Sequence, residues 1–325
     1  MTEDNDYIKI DFYKLWKYVR INRTAKEKMK PLLFSKMPFL FNKFASYYHW
    51  KNARVFVEDS FVSNSSLYHL KKKKYNLSPN LAIVFHVYYP DVFSDVLNRL
   101  PRDISFKLFI SCPQEVKPEV EKILLSYPFS FEIFIVENKG RDILPFLKIL
   151  PIVFNKGFSL VLKLHTKRSN HLKKKEPWNT GLFNALLGKN NIENVLDIFA
   201  RHPQVGMIGP EGNILPMSLY YGGNAKRVKE LCLKMGLSEQ QLKSYNFVAG
   251  SIFYARKEVL EPVLKLGLKE NDFEEENEQL DNTLAHVVER IFPAGLILND
   301  MVLADTSSTT NKIVCKLTLN HPYTI

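Results

Sequence analysis

The chain has 325 residues, of which 46% are hydrophobic and 13% aromatic, so it carries enough apolar side chains for a large core, and wholesale disorder is excluded. The net charge of +11 predicts an anionic partner, which nucleic acid, lipid headgroups or a phosphorylated ligand would each satisfy. Only three cysteines occur, far apart, which argues against a disulfide framework. The sequence has no apolar run of roughly 18 residues, as a membrane span would need, and no secretory h-region near the first residue. These features predict a cytoplasmic protein.

Residues 1–78 differ in texture from the rest of the chain. They interleave basic and aromatic residues, as in YKLWKYVRINRTAKEKMK, with little period-2 alternation, and a run of lysines at 71–74 lies near their end. This composition predicts a helical extension. Each Lys or Arg near an anionic membrane surface contributes on the order of 1 kcal/mol to the free energy of membrane binding. The basic residues of the extension therefore also predict peripheral contact with the inner face of the cell membrane. A plainly packed extension is the alternative.

Strand-like and helix-like segments alternate from residue 79 to residue 305. The strand-like runs are LAIVFHVYY, FKLFISC, FEIFIVE, FSLVLKLH, VGMIGP and FVAGSIFYA. Helical spacing marks DVFSDVLNRL, PEVEKILLSY, KEVLEPVLKLG, EQLDNTLAHVVERIF and ILPFLKILPIVF, the last with an expected interruption at Pro151. This alternation predicts an α/β fold with a mostly parallel, Rossmann-like sheet flanked by helices, followed by a C-terminal tail at 306–325.

Polar residues cluster after several predicted strands. Ligands of open α/β sheets bind beyond the carboxyl ends of the strands, so these positions form the expected ligand rim. The rim segments are 86–90, 111–113, 138–142, 165–169 and 209–212.

Six stretches of the predicted domain occur in a recognisable order: FHVYYPDVF, ENKGRDILPFL, LKLHTKRS, VGMIGP, FVAGSIFYAR and LDNTLAHVVERIF. In this they resemble the rhamnan synthesis protein F family of bacterial cell-surface polysaccharide clusters, regarded as glycosyltransferases. The resemblance implies transfer of a sugar, rhamnose from dTDP-rhamnose, to a lipid-linked polysaccharide or lipopolysaccharide glycan. The layout is also similar to GT-A glycosyltransferases, and 79–305 is then the nucleotide-sugar-binding domain.

The segment HTKRS stands where GT-A enzymes usually carry a metal-binding DxD. A departing diphosphate is normally neutralised by a divalent cation held on carboxylates, and Lys or Arg side chains can take over that role. We therefore predict that His165, Thr166, Lys167 and Arg168 bind the donor without a metal or other cofactor. A solvated basic strand end is the alternative for this segment, and a divalent cation stays open.

Two further rim segments are predicted to bind the donor. Gly140 permits a close backbone approach, and Arg141 can grip phosphate while Asp142 fixes its guanidinium. The alternative is that Asp142 caps the next helix and Arg141 pairs on the surface. Beside them, Asn138 either forms a turn or contacts the nucleoside. His86 and Tyr88, at the end of the first strand, are predicted to contact the base or ribose of the donor. Plain packing of these side chains is the alternative.

The amphipathic segment 280–292 is predicted to be a helix that supplies the general base. A carboxylate must take the proton of the acceptor hydroxyl, for which Asp281 is the first candidate and Glu278 the second. A favourable interaction with the helix dipole is the alternative role of both. Further residues are predicted to contact the acceptor or shape the pocket: Gly250, inside a predicted strand, and His286, Glu289 and Arg290.

Two other function classes compete with a glycosyltransferase. A non-catalytic module that binds sugar nucleotide or polysaccharide is consistent with the missing DxD. A nucleic-acid binder is consistent with the charge, but the chain lacks a helix-turn-helix or RRM signature and its basic residues gather at strand ends, so we expect no nucleic-acid partner.

Overall fold

The computed structural model describes residues 33, 36–41, 65–67, 80–166, 178–242, 245–276 and 281–318. Within the predicted N-terminal extension it contains a short helix, α1 (Pro38–Phe41), and a short strand, β1 (Ser65–Leu67). The remainder of the predicted helical extension lies outside the described residues and stays a prediction.

The strands follow the apolar runs of the sequence, because β-branched and aromatic residues favour extended backbone. They are β2 (Leu81–His86), β3 (Phe106–Cys112), β4 (Ser130–Ile135), β5 (Leu160–His165), β6 (Val205–Gly209), β7 (Ile214–Pro216), β8 (Asn246–Val248), β9 (Phe253–Arg256), β10 (Val302–Asp305) and β11 (Val314–Lys316).

Helices connect most of these strands. They are α2 (Pro90–Leu97), α3 (Lys117–Leu124), α4 (Ile143–Asn155), α5 (Trp178–Leu186), α6 (Lys189–Arg201), α7 (Met217–Tyr220), α8 (Ala225–Lys234), α9 (Glu239–Leu242), α10 (Lys257–Leu264), α11 (Leu284–Ile291) and α12 (Ala294–Leu298). Two 3-10 turns, Gly222–Asn224 and Glu270–Asp272, complete the described elements.

Seven strands form one central sheet in the order β10-β6-β9-β5-β2-β3-β4. All neighbouring pairs are parallel except the two that involve β9, which runs antiparallel to β5 and to β6. The predicted α/β class with a mostly parallel sheet is therefore confirmed. The register brings the carboxyl ends of three strands together, since His86 of β2 lies opposite Ser111 of β3 and His165 of β5.

Apolar side chains cover both faces of this sheet. One face packs against α4, α8, α10, α11 and α12, and the other against α2, α3, α5 and α6. On the first face three aromatic rings, Phe146, Phe253 and Phe292, meet edge to face with centroids 5.4 to 6.3 Å apart. Helices on both faces explain why β2 and β5 are buried along their whole length.

Two short sheets lie outside the central one. Strand β7 pairs with β8, and β1 pairs with β11, both antiparallel. Through the second pair, a segment before the predicted domain meets one after it, and Ile313 and Cys315 of that later segment are buried. The domain boundaries at 78 and 305 stay predictions. Within the described residues, no helix combines the length and apolarity that crossing a bilayer requires.

Three details of the predicted elements were wrong. Helix α4 continues through Pro151, because buried residues on both sides, such as Leu150 and Val153, stabilise the helix against the lost hydrogen bond. Helix α11 begins at Leu284 rather than near 280, since Asn282 has a φ of 68° and cannot continue a right-handed helix. Residues 247–255 form two strands of different sheets, and Gly250 lies in the turn between them.

Gly295 allows α12 to pack tightly on α10, which leads to a stability prediction. A Cβ at this position would lie 2.0 Å from the backbone oxygen of Val259. We expect Gly295→Ala to lower the free energy of unfolding by about 1 to 3 kcal/mol, because the backbone of α10 has to shift. The matched control is Gly181→Ala in α5, where a Cβ meets nothing within 4 Å. Urea unfolding should show this control unchanged or slightly more stable, and equal losses in both variants would contradict the packing argument.

Candidate functional site

The carboxyl edge of the parallel strands carries a buried polar layer. His86 and Ser111, at the ends of β2 and β3, form a hydrogen bond of 3.0 Å between the imidazole Nδ1 and the serine hydroxyl. His86 is 7% exposed, and its burial lowers the pKa from 6.5 to about 4. His86 is therefore neutral near pH 7 and presents an uncharged ring beneath the predicted ligand rim.

The buried neutral state of His86 predicts a pH dependence of stability. The unfolded chain binds a proton on this residue below about pH 6.5, whereas the folded chain does so only near pH 4. The contribution of His86 to the free energy of unfolding is therefore complete above the unfolded pKa of 6.5. As the pH falls from 6.5 to about 4, about 3 kcal/mol of this free energy is lost. Urea unfolding near pH 7 and near pH 5 should show a smaller acid loss for His86→Asn than for the wild type. Identical losses would contradict the assignment.

Thr166 organises the loop that follows β2. Its hydroxyl accepts hydrogen bonds from the backbone N–H groups of Tyr88 and Tyr89 at 2.7 and 2.9 Å, and its own N–H donates to the carbonyl of His86 at 2.9 Å. Tyr88 is 38% exposed and its ring meets that of Tyr89 edge to face at 5.0 Å. The loop therefore presents an aromatic ring at the edge where a nucleoside was predicted.

The sequence Gly140-Arg141-Asp142, called the GRD turn from here on, has an unusual backbone. Gly140 and Arg141 both have left-handed φ angles, 64° and 56°. Glycine is required at the first position because a Cβ would lie 2.6 Å from the Cβ of Leu144. The turn places Arg141 in the loop between β4 and α4.

Arg141 is held by two side chains from distant parts of the chain. Its guanidinium forms an ion pair with Glu276, Nε to Oε2, at 3.5 Å, and its backbone N–H donates to the same carboxylate at 3.1 Å. Nη1 donates to Nε2 of His286 at 2.9 Å. The side chain is 25% exposed, so these contacts fix a side chain that is only partly buried.

Asp142 turns inward and joins a buried cluster. Although it precedes α4, its side chain makes no capping hydrogen bond to that helix. Its Oδ2 instead pairs with Nζ of Lys163, accepts a hydrogen bond of 2.9 Å from the hydroxyl of Ser251, and lies 3.3 Å from Nδ1 of His165. The capping alternative for Asp142 was therefore wrong.

Helix α11 contacts both the GRD turn and the turn around Gly250. Arginine can only donate, so Nε2 of His286 accepts from Arg141, and the imidazole proton on Nδ1 is donated to the hydroxyl of Thr283 at 2.7 Å. One turn further along, Glu289 accepts a hydrogen bond of 2.7 Å from the backbone N–H of Gly250. The structure thus brings four predicted site residues together across α11, namely Arg141, Gly250, His286 and Glu289.

Asp281 forms a separate cluster in front of α11. Its carboxylate accepts hydrogen bonds from the N–H of Gly223 at 3.2 Å and from Nδ2 of Asn224 at 2.6 Å, and it pairs with Arg290 at 3.2 Å. Burial acts to raise the pKa of this carboxyl, but the charge of Arg290 and the backbone donors outweigh it, and the pKa lies below the ordinary value. Asp281 is therefore ionised near neutral pH, the form that a general base requires.

Some predicted site residues fall outside these clusters. Asn138 is exposed at the bend between β4 and the GRD turn. Lys167, Arg168 and Glu278 lie outside the described residues, and their predicted roles stay predictions. Among the described residues, no three His, Cys, Asp or Glu side chains are grouped as metal ligands.

Two residues of the buried cluster, Lys163 and Ser251, were not among the predicted site residues. A signal for the first was present, because a lysine inside the apolar run FSLVLKLH has to find a buried partner. For the second there was none, since a serine after glycine is typical of many turns.

Comparison with known proteins agrees with the arrangement of these motifs. The family model of rhamnan synthesis protein F matches residues 46–298. Two uncharacterized proteins named WxcX, from two strains of Xanthomonas campestris pv. campestris, are 35% identical over 214 residues, which are 66% of this chain. The match spans only 31% of the length of these relatives.

Among solved structures, the inositol-1-phosphate CTP transferase from T. maritima shows a similarity to this chain. It covers 75% of this chain and 91% of that chain, with 11% identity and a TM-score of 0.34. The match to the family model extends over residues 46–298, which include every cluster described above. The chain belongs to the rhamnan synthesis protein F family.

Proposed function

We propose that the chain is a glycosyltransferase that moves a sugar from a nucleoside-diphosphate donor to a growing cell-surface polysaccharide. Family membership links it to rhamnan synthesis, which favours dTDP-rhamnose as the donor and a lipid-linked glycan as the acceptor. Such an acceptor would be reached at the inner face of the cell membrane, with the basic N-terminal residues in contact with anionic lipid.

The observation that carries this proposal is the placement of Arg141. It follows the parallel strand β4, and its neighbour Asp142 lies 3.3 Å from His165 at the carboxyl end of β5, the edge where open α/β sheets bind their ligands. Glu276 and His286 fix the side chain, which is 25% exposed. Guanidinium N–H groups bind phosphate oxygens, and a side chain that is already fixed loses little entropy on binding. This geometry suits the diphosphate of a nucleotide sugar.

The other residues of the edge complete the proposed donor site. The exposed ring of Tyr88 provides a surface on which a nucleobase can stack. Lys167 and Arg168 follow Thr166 directly in sequence, and we propose that their charges join that of Arg141 at the diphosphate. Three cations at this point would neutralise the leaving group without a metal ion.

The proposed reaction is a direct displacement at the anomeric carbon. Asp281, or else Glu278, takes the proton of the acceptor hydroxyl as its oxygen forms the new bond to the anomeric carbon. The bond between that carbon and the diphosphate oxygen breaks, and the electron pair leaves with the nucleoside diphosphate. Arg141, Lys167 and Arg168 stabilise the charge that develops on this leaving group.

Calorimetric titration with dTDP, UDP, GDP and their sugars, first in EDTA and then with Mn²⁺, tests the proposal. We expect one nucleotide to bind in EDTA, binding to be lost in Lys167→Ala, and the charge-matched control Lys122→Ala in α3 to bind as the wild type does. Binding that requires Mn²⁺ would overturn the metal-independent site. A nucleotide sugar that binds but is not consumed in the presence of acceptor glycan would indicate a binding module, and binding of no nucleotide would contradict the proposed function.

A further inference from the structure

Two turns at the carboxyl edge share a rare backbone conformation. In the GRD turn, Gly140 and Arg141 have φ angles of 64° and 56°, and in the Gly250–Ser251 turn the angles are 86° and 57°. Left-handed angles at a non-glycine residue are unfavourable and persist only where surrounding contacts impose them. The two turns are more than 100 residues apart in sequence, so the contacts that impose both are informative.

Lys163 of β5 links the two turns directly. Its side chain is 1% exposed, and Nζ pairs with the carboxylate of Asp142 while it donates a hydrogen bond of 3.0 Å to the backbone oxygen of Ser251. The hydroxyl of Ser251 closes the triangle by donating to Asp142 at 2.9 Å. The ammonium group also lies 5.2 Å from the ring centroid of Phe146. A single buried cation therefore binds one residue of each turn.

Helix α11 links the same two turns from a different element. His286 accepts from Arg141, and Glu289 accepts from the N–H of Gly250. The GRD turn and the Gly250–Ser251 turn are thus joined twice, once through β5 and once through α11. Movement of either turn has to break contacts of both links.

Stability alone gives little reason for a lysine at position 163. The neighbouring residues Leu162 and Leu164 are buried apolar side chains, and an apolar residue would suit this strand. A buried ion pair seldom adds net stability over well-packed apolar residues, because desolvating two charges is costly. The ion pair instead fixes the position of Asp142, and therefore also the position of the adjoining backbone of Arg141.

We propose that Lys163 is a positioning residue that couples the GRD turn to the Gly250–Ser251 turn and so holds Arg141 where it meets the diphosphate of the donor. The proposal rests on the proposed function for its ligand, but the coupling itself is a property of the free protein. Two measurements separate these parts.

Hydrogen–deuterium exchange of the free protein tests the coupling. In Lys163→Met we expect faster exchange in peptides that cover residues 138–144 and 248–253 together, and wild-type exchange in Lys163→Arg, which keeps a donor for both partners. Ser251→Ala removes one link without a change of charge, so it should accelerate the same two peptides even if Lys163→Met fails to fold. Faster exchange in only one turn, or uniformly over the sheet, would overturn the coupling.

Titration with the nucleoside diphosphate that the wild type binds tests the link to Arg141. We expect Lys163→Met to weaken binding by roughly tenfold, and Lys163→Arg to restore it. Adding Lys163→Met to Arg141→Ala should cause no further loss, because Lys163 acts through Arg141. Additive losses, or wild-type affinity in Lys163→Met, would overturn the positioning role. Binding of no nucleotide by the wild type would contradict the proposed function, while the exchange experiment would still decide the coupling.

Discussion

Replacing Asp281 by asparagine is expected to lower the turnover of sugar transfer by about 10²- to 10⁴-fold, because the amide cannot accept the proton of the acceptor hydroxyl. The surroundings of Asp281 keep its carboxylate ionised, since its pKa lies below the ordinary value despite burial. Asparagine has nearly the same shape, but its single acceptor oxygen keeps only one of the two hydrogen bonds from Gly223 and Asn224. Release of nucleoside diphosphate from the donor identified by titration is the measurement, with donor affinity determined in parallel.

A control is required because Asp281 also stabilises its surroundings. It pairs with Arg290, which is 12% exposed, so Asp281→Asn should lower the melting temperature as well. Asn224→Ala removes one hydrogen bond from the same cluster and leaves the carboxylate in place. If Asn224→Ala lost as much turnover as Asp281→Asn, the carboxylate would be structural. Wild-type turnover in Asp281→Asn, together with a loss in Glu278→Gln, would move the base assignment to Glu278.

The mostly parallel sheet and the polar residues at its carboxyl edge could be predicted from local patterns. Apolar runs such as LAIVFH end in polar residues, and parallel strands bring those ends to one edge, so the convergence of His86 and His165 was predictable. The same holds for Arg141, since a glycine before an arginine at a strand end indicates a turn that projects a charged side chain. These inferences need only the alternation of apolar and polar residues and the rule for parallel sheets.

Contacts between distant segments were not predictable in this way. That Asp142 pairs with Lys163 instead of capping α4 depends on the burial of Lys163 in β5, which a propensity for helix caps does not include. The late start of α11 depends on the left-handed backbone of Asn282 and on Asp281 binding Gly223 and Asn224. In both cases a carboxylate near the start of a helix binds residues of another element instead of capping that helix.

Truncation of Phe292 should destabilise the fold strongly. This residue follows α11 directly and is fully buried, with its ring 5.6 Å from that of Phe146 in α4 and 5.4 Å from that of Phe253 in β9, measured between centroids. Phe292→Ala is expected to lower the free energy of unfolding by about 3 to 5 kcal/mol, because it removes these contacts and leaves a cavity between three elements. Urea unfolding followed by circular dichroism measures the loss.

The matched control is Phe131→Ala on the edge strand β4, where the ring is 38% exposed, and its loss should be about 1 kcal/mol or less. Equal losses in the two variants would contradict the role of the aromatic cluster.

Because Phe292 anchors the end of α11, and this helix binds Arg141 through His286 and Gly250 through Glu289, the cavity should also loosen both turns. Phe292→Ala is therefore expected to weaken nucleotide binding even at temperatures where the variant is fully folded, whereas Phe131→Ala should bind as the wild type does.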